Sequence, residues 1–162
     1  MKTLFLVRHA KSSRDDPRLA DRDRPLADRG ALDAPRMGKR LAKRDVQPDL
    51  ILSSPARRAL ATATIIAAKL GYKLKDIVVD ERLYPGTEGE LLAVIRALDD
   101  KLRRVMLFGH NPALAGLAQR LSSEIARMPT SAVAELVFDV KSWSKIGKTT
   151  LARATLDYPK KS

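Results

Sequence analysis

The stretch that decides the fold is TLFLVRHAKS at residues 3–12. Residues 3–7 are apolar and rich in strand formers, which predicts a short buried strand. This strand is followed directly by two polar side chains, Arg8 and His9. The charged stretch from residue 11 to residue 28 is predicted to be a long surface loop.

Predicted strands and helices alternate along the rest of the chain. Further strands are predicted at residues 50–53, 77–79, 105–108, 132–140 and 149–156. Helices are predicted at about residues 30–44, at 54 or 55 to 70, at 88–102 and at 112–121. The helix at 88–102 is predicted because apolar residues recur there with helical spacing as far as Leu102. This alternation predicts an α/β protein, a single domain over residues 1–158 in which a mostly parallel mixed sheet lies between two helical layers (α/β/α). Residues 159–162 are predicted to be a frayed tail.

Polar residues mark where the helices are expected to begin. Pro35 is unfavourable inside the first helix, so that helix is predicted to start either near residue 30 or at Asp33, where an early proline is tolerated. The other predicted caps are Ser54, Thr87 and Asn111.

Composition narrows the function classes. The 162 residues include no cysteine, which excludes disulfides, thiolate catalysis and cysteine-bound metals and fits a cytoplasmic protein. No apolar run approaches the roughly 20 residues of a membrane span, so no membrane association is predicted. The net charge of +12 favours an anionic partner, but only seven aromatic residues (three Phe, three Tyr, one Trp) are available for stacking on bases. Nucleic acid is therefore not the predicted partner.

The two histidines of the chain each follow a predicted strand. His9 follows the first strand, His110 follows the strand at residues 105–108, and Arg58 lies just beyond the strand at residues 50–53. Ligands of open α/β sheets bind at the carboxyl ends of the strands, so these side chains are predicted to share one crevice. Two helix N-termini and the guanidinium groups of Arg8 and Arg58 favour a phosphate there. A histidine in such a site can attack phosphorus and carry the phosphoryl group. No third ligand accompanies the histidines, so no metal is predicted.

Several short blocks together resemble the histidine phosphatase superfamily, the phosphoglycerate mutase-like proteins. The likeness is greatest to its short bacterial branch of SixA-like phosphohistidine phosphatases. The blocks are LVRHAKS (6–12), RPL (24–26) followed by Arg29 and Gly30, SSPARRA (53–59) followed by ATA (61–63), GHNP (109–112) and MPTS (128–131).

The resemblance implies a phosphoglycerate mutase-like fold, a metal-independent phosphatase activity and no cofactor. It implies His9 as the nucleophile, with Arg8, Arg58 and His110 holding phosphate. Glu81 is the best match to the carboxylate that protonates the leaving group in many relatives, although Glu81 also fits a simple turn. Within or beside the blocks, Ser12, Arg24 and Asn111 are predicted to bind substrate.

Two departures from the family pattern affect the predicted substrate. Ala10 stands where the broad family often has glycine, and the long insertions that form a substrate lid in larger relatives are lacking. A short, uncapped site disfavours mutase activity and suits a phosphohistidine on the surface of a phosphorelay or phosphotransferase protein.

Two other functions stay open. One is a phosphatase for small phosphoesters, in which arginines of the 11–28 loop would bind a second anionic group. The other is a non-catalytic basic module that binds nucleic acid. The sequence predicts no oligomeric state.

Overall fold

The computed structural model describes residues 1–148 and 151–161. Within them the chain alternates strands and helices up to residue 121 and ends in two strands. The strands are β1 (Lys2–Arg8), β2 (Leu50–Ser53), β3 (Val78–Val79), β4 (Arg104–Gly109), β5 (Val133–Phe138) and β6 (Leu151–Asp157). The α-helices are α1 (Asp28–Lys43), α2 (Arg57–Leu70), α3 (Glu88–Arg96) and α4 (Ala113–Leu121).

The strands form one mixed sheet in the order β3-β2-β4-β1-β5-β6. Neighbouring strands are parallel from β3 to β1, whereas β5 and β6 join antiparallel. The central strand β1 pairs Leu6 with Leu107 on one side and with Ala134 on the other. The predicted α/β fold with a mostly parallel mixed sheet is therefore confirmed.

Helices cover both faces of the sheet. Successive side chains of a strand point to opposite faces, so Phe5 and Val7 pack in one apolar cluster while Leu4 and Leu6 pack in the other. The first cluster includes Met37 of α1 and other residues of α1 and α2; the second is completed by α3 and α4. Burial on both faces explains why β1 is an uninterrupted apolar run rather than an alternating one.

The first helix begins earlier than one predicted start. Helix α1 starts at Asp28 and keeps Pro35 inside it, so the alternative start at Asp33 is wrong. The backbone N–H of Ala27 donates to the carbonyl of Lys11 at 2.9 Å, which fixes the start of the helix against the preceding loop. The helix tolerates Pro35 although proline lacks the N–H of a normal helical turn.

The other helices also differ in detail from the prediction. Helix α2 begins at Arg57 after the cap residue Ala56, so Ser54 is not its cap. The capping box of Thr87 and Glu90 at α3 is confirmed, but α3 ends at Arg96. Leu98 and Leu102, predicted to continue that helix, lie beyond it and pack against the core.

The remaining boundaries shift by a few residues. Helix α4 begins at Ala113 after Pro112, while the Asn111 side-chain oxygen accepts the N–H of Ala115 at 3.2 Å. Strand β3 is only two residues long and does not include Ile77. Residues 149–150 of the last predicted strand and residue 162 of the predicted tail lie outside the described residues. No helix in the part of the chain that the structure describes has the length and apolar character needed to cross a membrane.

Candidate active site

The carboxyl ends of β1, β4 and β2 bring the predicted site residues together. These three strands are adjacent and parallel, so the residues that follow them emerge at one edge of the sheet. The N–H of His9 donates to the carbonyl of Gly109 at 3.2 Å, and the N–H of Ser54 donates to that of Phe108 at 3.0 Å. The rings of His9 and His110 have their centres 5.1 Å apart. The predicted shared crevice is thus present.

A cavity of about 230 Å³ opens at this edge. Seven of the eight predicted site residues line it, together with four further residues, of which Arg14 is one of the loop arginines considered above for a second anionic group. The predicted ones are Arg8, His9, Ser12, Arg24, Arg58, His110 and Asn111, and the others are Lys11, Arg14, Asp21 and Thr130.

The His9 ring is held in one orientation. Its Nδ1 lies 2.8 Å from the carbonyl oxygen of Ala10. A carbonyl can only accept, so Nδ1 carries the proton and the neutral ring has its lone pair on Nε2. Burial, together with the smaller effects of the positive charges on Arg58, Arg8 and Arg24, lowers the pKa of His9 to about 4, against the opposing effect of the Ala10 hydrogen bond. At neutral pH this imidazole is therefore uncharged and has a lone pair on Nε2.

His110 is also neutral, and one of its ring nitrogens has no partner in the part of the chain that the structure describes. Burial lowers its pKa to about 3, with smaller contributions from neighbouring charges. Its Nε2 lies 2.7 Å from Ser54 Oγ, which already accepts the N–H of Ala56 at 3.1 Å. We assign the donor role to the Ser54 hydroxyl, so that Nε2 accepts and the imidazole proton lies on Nδ1. That Nδ1 is buried and has no hydrogen-bond partner among the described residues.

Two arginines contribute further donors that lack partners. Arg8 Nη1 donates to the carbonyl of Met128 at 3.1 Å, while Arg58 donates to Asp21. The Nε atoms of Arg8 and Arg58 are buried and unpaired within the described residues. A buried donor without an acceptor costs about 1–3 kcal/mol, and both arginines line the cavity.

Asp21 is a cavity residue with many side-chain contacts that sequence reasoning missed. It lies in a short 3₁₀ turn, Asp21–Asp23, within the stretch predicted to be a surface loop. Its carboxylate accepts from Tyr84 Oη at 2.7 Å, from Arg58 Nη2 at 3.0 Å and from Arg24 Nε at 3.1 Å. Hydrogen bonds from Tyr84 and then Arg58 hold the pKa of Asp21 well below its usual range, despite the opposing effect of burial. The only sequence signal was its position three residues before Arg24.

The predicted substrate-binding residues have protein partners as well. Arg24 is buried and its Nη1 donates to Ser12 Oγ at 2.8 Å. Asn111 Nδ2 donates to the carbonyl of Met128 at 2.9 Å, the same oxygen that accepts from Arg8. The residue 11–28 loop is therefore tied to the cavity rather than extended into solvent.

Glu81 is the one predicted site residue that does not line the cavity. It lies in the 3₁₀ turn Glu81–Leu83, its side chain is 70% exposed, and it pairs with Arg22 at 3.0 Å. Tyr84, which follows that turn, stands edge-on to His110 with ring centres 5.4 Å apart. The role of Glu81 as a general acid stays a prediction.

The site combines an unprotonated imidazole nitrogen with donors suited to a tetrahedral oxyanion. Within residues 1–148 and 151–161, no group of three His, Cys, Asp or Glu side chains is arranged to hold a metal ion. The fold and the cavity define an α/β enzyme that acts on a phosphate-like anion at the carboxyl edge of its sheet.

Comparison with known proteins identifies the family. The model of the histidine phosphatase superfamily (branch 1) matches residues 4–91, and the chain belongs to that superfamily. An uncharacterised chloroplast protein of Arabidopsis thaliana is 30% identical over 152 residues, covering 89% of this chain and 70% of its own length.

Solved structures of SixA proteins share the fold. A candidate phosphohistidine phosphatase SixA from Agrobacterium tumefaciens matches with a TM-score of 0.77 and 30% identity, over 83% of this chain and 90% of that one. The protein histidine phosphatase SixA complexed with tungstate matches with a TM-score of 0.80 and 25% identity, over 97% of each chain. The predicted SixA-like resemblance is confirmed, and the chain is a hydrolase of the phosphatase type.

Proposed function

We propose that this chain hydrolyses protein phosphohistidine through a phosphoryl group carried on His9. The observation that carries the proposal is the state of His9, a buried neutral imidazole with its lone pair on Nε2, next to Arg8, Arg58 and His110. The likeness to SixA structures supports the substrate class.

The first step transfers the phosphoryl group from the substrate to the enzyme. His9 Nε2 attacks the phosphorus of a phosphohistidine that is protonated on its other ring nitrogen, and a new P–N bond forms. The P–N bond to the substrate imidazole breaks with its electron pair going to that nitrogen, so a neutral imidazole leaves. Arg8, Arg58 and the Nδ1–H of His110 stabilise the charge on the transferred oxygens. An imidazole leaves more readily than an alkoxide, which fits the position of Glu81 outside the cavity.

The second step returns the enzyme to its starting state. Water attacks the phosphorus of phospho-His9, the P–Nε2 bond breaks, and the electron pair returns to Nε2 as inorganic phosphate leaves. The Ala10 carbonyl holds the ring through Nδ1 in both steps, so the same nitrogen is presented each time.

Trapping of the intermediate tests the proposal. The enzyme is mixed with a ³²P-phosphohistidine protein, quenched in alkali, and examined for label that survives base but is lost in acid, as a phosphohistidine is. Wild type is expected to carry the label and to release phosphate, and His9→Gln to do neither. His110→Gln, which keeps the nucleophile, is expected to be labelled more slowly at His9. Label on His9→Gln, or full turnover by it, would overturn the proposal.

A small phosphoester is the second candidate substrate. Lys11 and Arg14 line the cavity beyond the groups proposed to hold phosphate, and they suit a second anionic group on a small molecule. The same phosphate-release assay with sugar phosphates and nucleotides distinguishes the two substrate classes. Faster, His9-dependent turnover of a small ester would move the assignment to a general phosphomonoesterase. The predicted cytoplasmic location and the absence of nucleic-acid and membrane partners stay predictions.

A further inference from the structure

A second, larger groove lies beside the catalytic cavity. It has a volume of about 440 Å³ and shares three lining residues with that cavity, namely Arg8, Lys11 and Thr130. The two concavities are therefore adjacent, so a ligand bound at His9 lies next to the groove.

The groove is strongly basic. In addition to Arg8 and Lys11, it is lined by Arg29, Arg127 and Lys160, whereas Asp33 is its only carboxylate among the described residues. Asp33 is buried and sits 3.4 Å from Arg29, at the long end of an ion pair. No carboxylate in residues 1–148 and 151–161 pairs with Lys11, Arg127 or Lys160. These three exposed cations thus lack an anionic partner in the described part of the chain.

One wall of the groove is formed by a segment that is anchored to α1. Arg40 donates to the carbonyls of Tyr158 and Pro159 at 2.8 and 2.9 Å, and it also pairs with Asp157 at 3.0 Å. These contacts hold Tyr158 and Pro159 in place beside Lys160. The groove is built into the folded chain and does not depend on a ligand to form it.

We propose that this groove binds an acidic segment of the phosphoprotein substrate, next to the phosphohistidine that enters the catalytic cavity. The inference rests on the proposed function, and it adds a surface by which the enzyme distinguishes one phosphoprotein substrate from another. Carboxylates in such a segment match the arginine forks and the lysine charges of the groove. Attachment to the phosphorylated residue raises the local concentration of these carboxylates at the groove.

Other basic surfaces of the chain do not meet the same conditions. Arg36, Lys39 and Lys43 form a basic surface on α1, but its lining includes no residue of the catalytic cavity. Of the residues that the structure describes, Tyr158 is the only aromatic one that lines the proposed groove, which gives a nucleic acid little to stack on. Charge and position together favour a polypeptide carboxylate over a nucleobase.

Two phosphohistidine peptides test the proposal. They differ only in that one carries several Asp residues beside the phosphohistidine and the other carries Asn. The groove variant is Arg127→Glu with Lys160→Glu, and the matched control is Arg36→Glu with Lys39→Glu, which makes the same change in net charge. Free phosphohistidine reports the chemistry at His9 without the groove.

We expect wild type and the control to prefer the Asp peptide in kcat/KM, by about tenfold at low salt. The groove variant is expected to lose that preference while hydrolysing free phosphohistidine and the Asn peptide at the wild-type rate. The preference of wild type is also expected to weaken as salt is added, because exposed charges are screened.

The outcomes separate this inference from the proposed function. If free phosphohistidine and both peptides are not hydrolysed by wild type, the proposed function is wrong. If they are hydrolysed but the groove variant keeps the full preference for Asp, the groove inference is wrong while the function stands. If the Arg36→Glu, Lys39→Glu control also loses the preference for the Asp peptide, the preference comes from the overall charge of the protein, and the groove inference is wrong. If the groove variant loses binding to RNA or to anionic vesicles but keeps the preference for the Asp peptide, the groove binds one of those ligands and the inference is wrong.

Discussion

The carboxylate of Asp21 is held directly against the guanidinium of Arg58. Arg58 Nη2 donates to Asp21 Oδ2 at 3.0 Å, and Arg58 Nη1 donates to the Asp21 backbone carbonyl at 2.7 Å. The same carboxylate accepts from Arg24 and Tyr84. Since these bonds keep the pKa of Asp21 low, the carboxylate stays charged and fixes both arginines toward the cavity.

Replacement of Asp21 by Asn is expected to weaken phosphate binding. The charge that orients Arg58 and Arg24 is lost, so each guanidinium must be ordered by the phosphate itself. We expect kcat/KM on free phosphohistidine to fall about tenfold, mainly through KM, and the inhibition constant of inorganic phosphate to rise. Asp23→Asn, an exposed change in the same 3₁₀ turn, is the control and is expected to leave both unchanged. Tighter phosphate inhibition in Asp21→Asn would show that Asp21 competes with phosphate instead.

The two buried histidines make stability depend on pH. Burial lowers the pKa of His9 to about 4 and that of His110 to about 3, below the ordinary value of 6.5. Between these values the unfolded chain binds more protons than the folded chain, so the free energy of unfolding rises with pH. The contribution of the two neutral histidines to the free energy of unfolding is fully present above about pH 6.5. It is lost as the pH falls toward their pKa values in the folded protein. For His9 the loss is roughly 3 kcal/mol at 1.36 kcal/mol per pKa unit.

Urea unfolding between pH 7 and pH 4.5 measures this effect. His9→Gln removes one of the two titrating groups, so its stability is expected to fall less steeply with acid than that of wild type. An NMR titration of the two imidazoles gives an independent check, because the chain has no other histidine. Midpoints near 6.5 for both rings would contradict the prediction.

The strands of the sheet and the polar residues at its carboxyl edge were predictable because both depend on short, continuous stretches of sequence. The central runs of β1, β2 and β4, at residues 4–7, 50–52 and 105–108, are uninterrupted apolar stretches, since parallel strands are buried on both faces. Polar residues directly after such runs must emerge at the carboxyl edge. His9 and His110 were therefore placed correctly without any knowledge of the contacts between them.

Ser54 and Asp21 show why other parts of the site were not predictable. Ser54 looked like a helix cap, but its hydroxyl instead joins Ala56 to His110, which lies 56 positions further along the chain. Asp21 depends on Tyr84, which lies 63 positions away. Propensity and spacing describe neighbours in sequence, whereas these roles arise from side chains that only the sheet topology brings together.

Thr62 connects the two segments that carry His9 and Arg58. Its Oγ1 accepts the N–H of Ala10 at 2.9 Å and donates to the carbonyl of Arg58 at 2.7 Å. Thr62→Val leaves the Ala10 N–H buried and unpaired, which is expected to cost about 1–3 kcal/mol of stability. The Ala10 carbonyl orients His9, so kcat on free phosphohistidine is expected to fall as well.

Thr64→Val is the matched control for this substitution. Thr64 is half-buried in the same helix and its hydroxyl makes no side-chain hydrogen bond within the described residues. Its replacement is expected to change stability by less than about 0.5 kcal/mol and to leave kcat unchanged. Equal effects of the two substitutions in urea unfolding would mean that the Thr62 hydrogen bonds contribute nothing specific.

Gly30→Ala is expected to destabilise the protein, because Gly30 lies close to the backbone of Lys11, whereas Gly89→Ala is expected to stabilise it. A Cβ at Gly30 would lie 2.2 Å from the carbonyl oxygen of Lys11, which accepts the N–H of Ala27 at the start of α1. Gly30→Ala must therefore displace backbone, and we expect it to destabilise the chain by about 1–3 kcal/mol. Because Lys11 lines both the catalytic cavity and the basic groove, activity on phosphohistidine peptides is expected to fall too.

At Gly89, in the first turn of α3, a Cβ meets nothing within 4 Å. Gly89→Ala is therefore expected to stabilise the protein by about 0.5–1 kcal/mol, because alanine reduces the conformational freedom of the unfolded chain. Chemical denaturation of the two variants beside wild type decides the matter. A Gly30→Ala protein as stable and active as wild type would show that the start of α1 can move away from Lys11 at no cost.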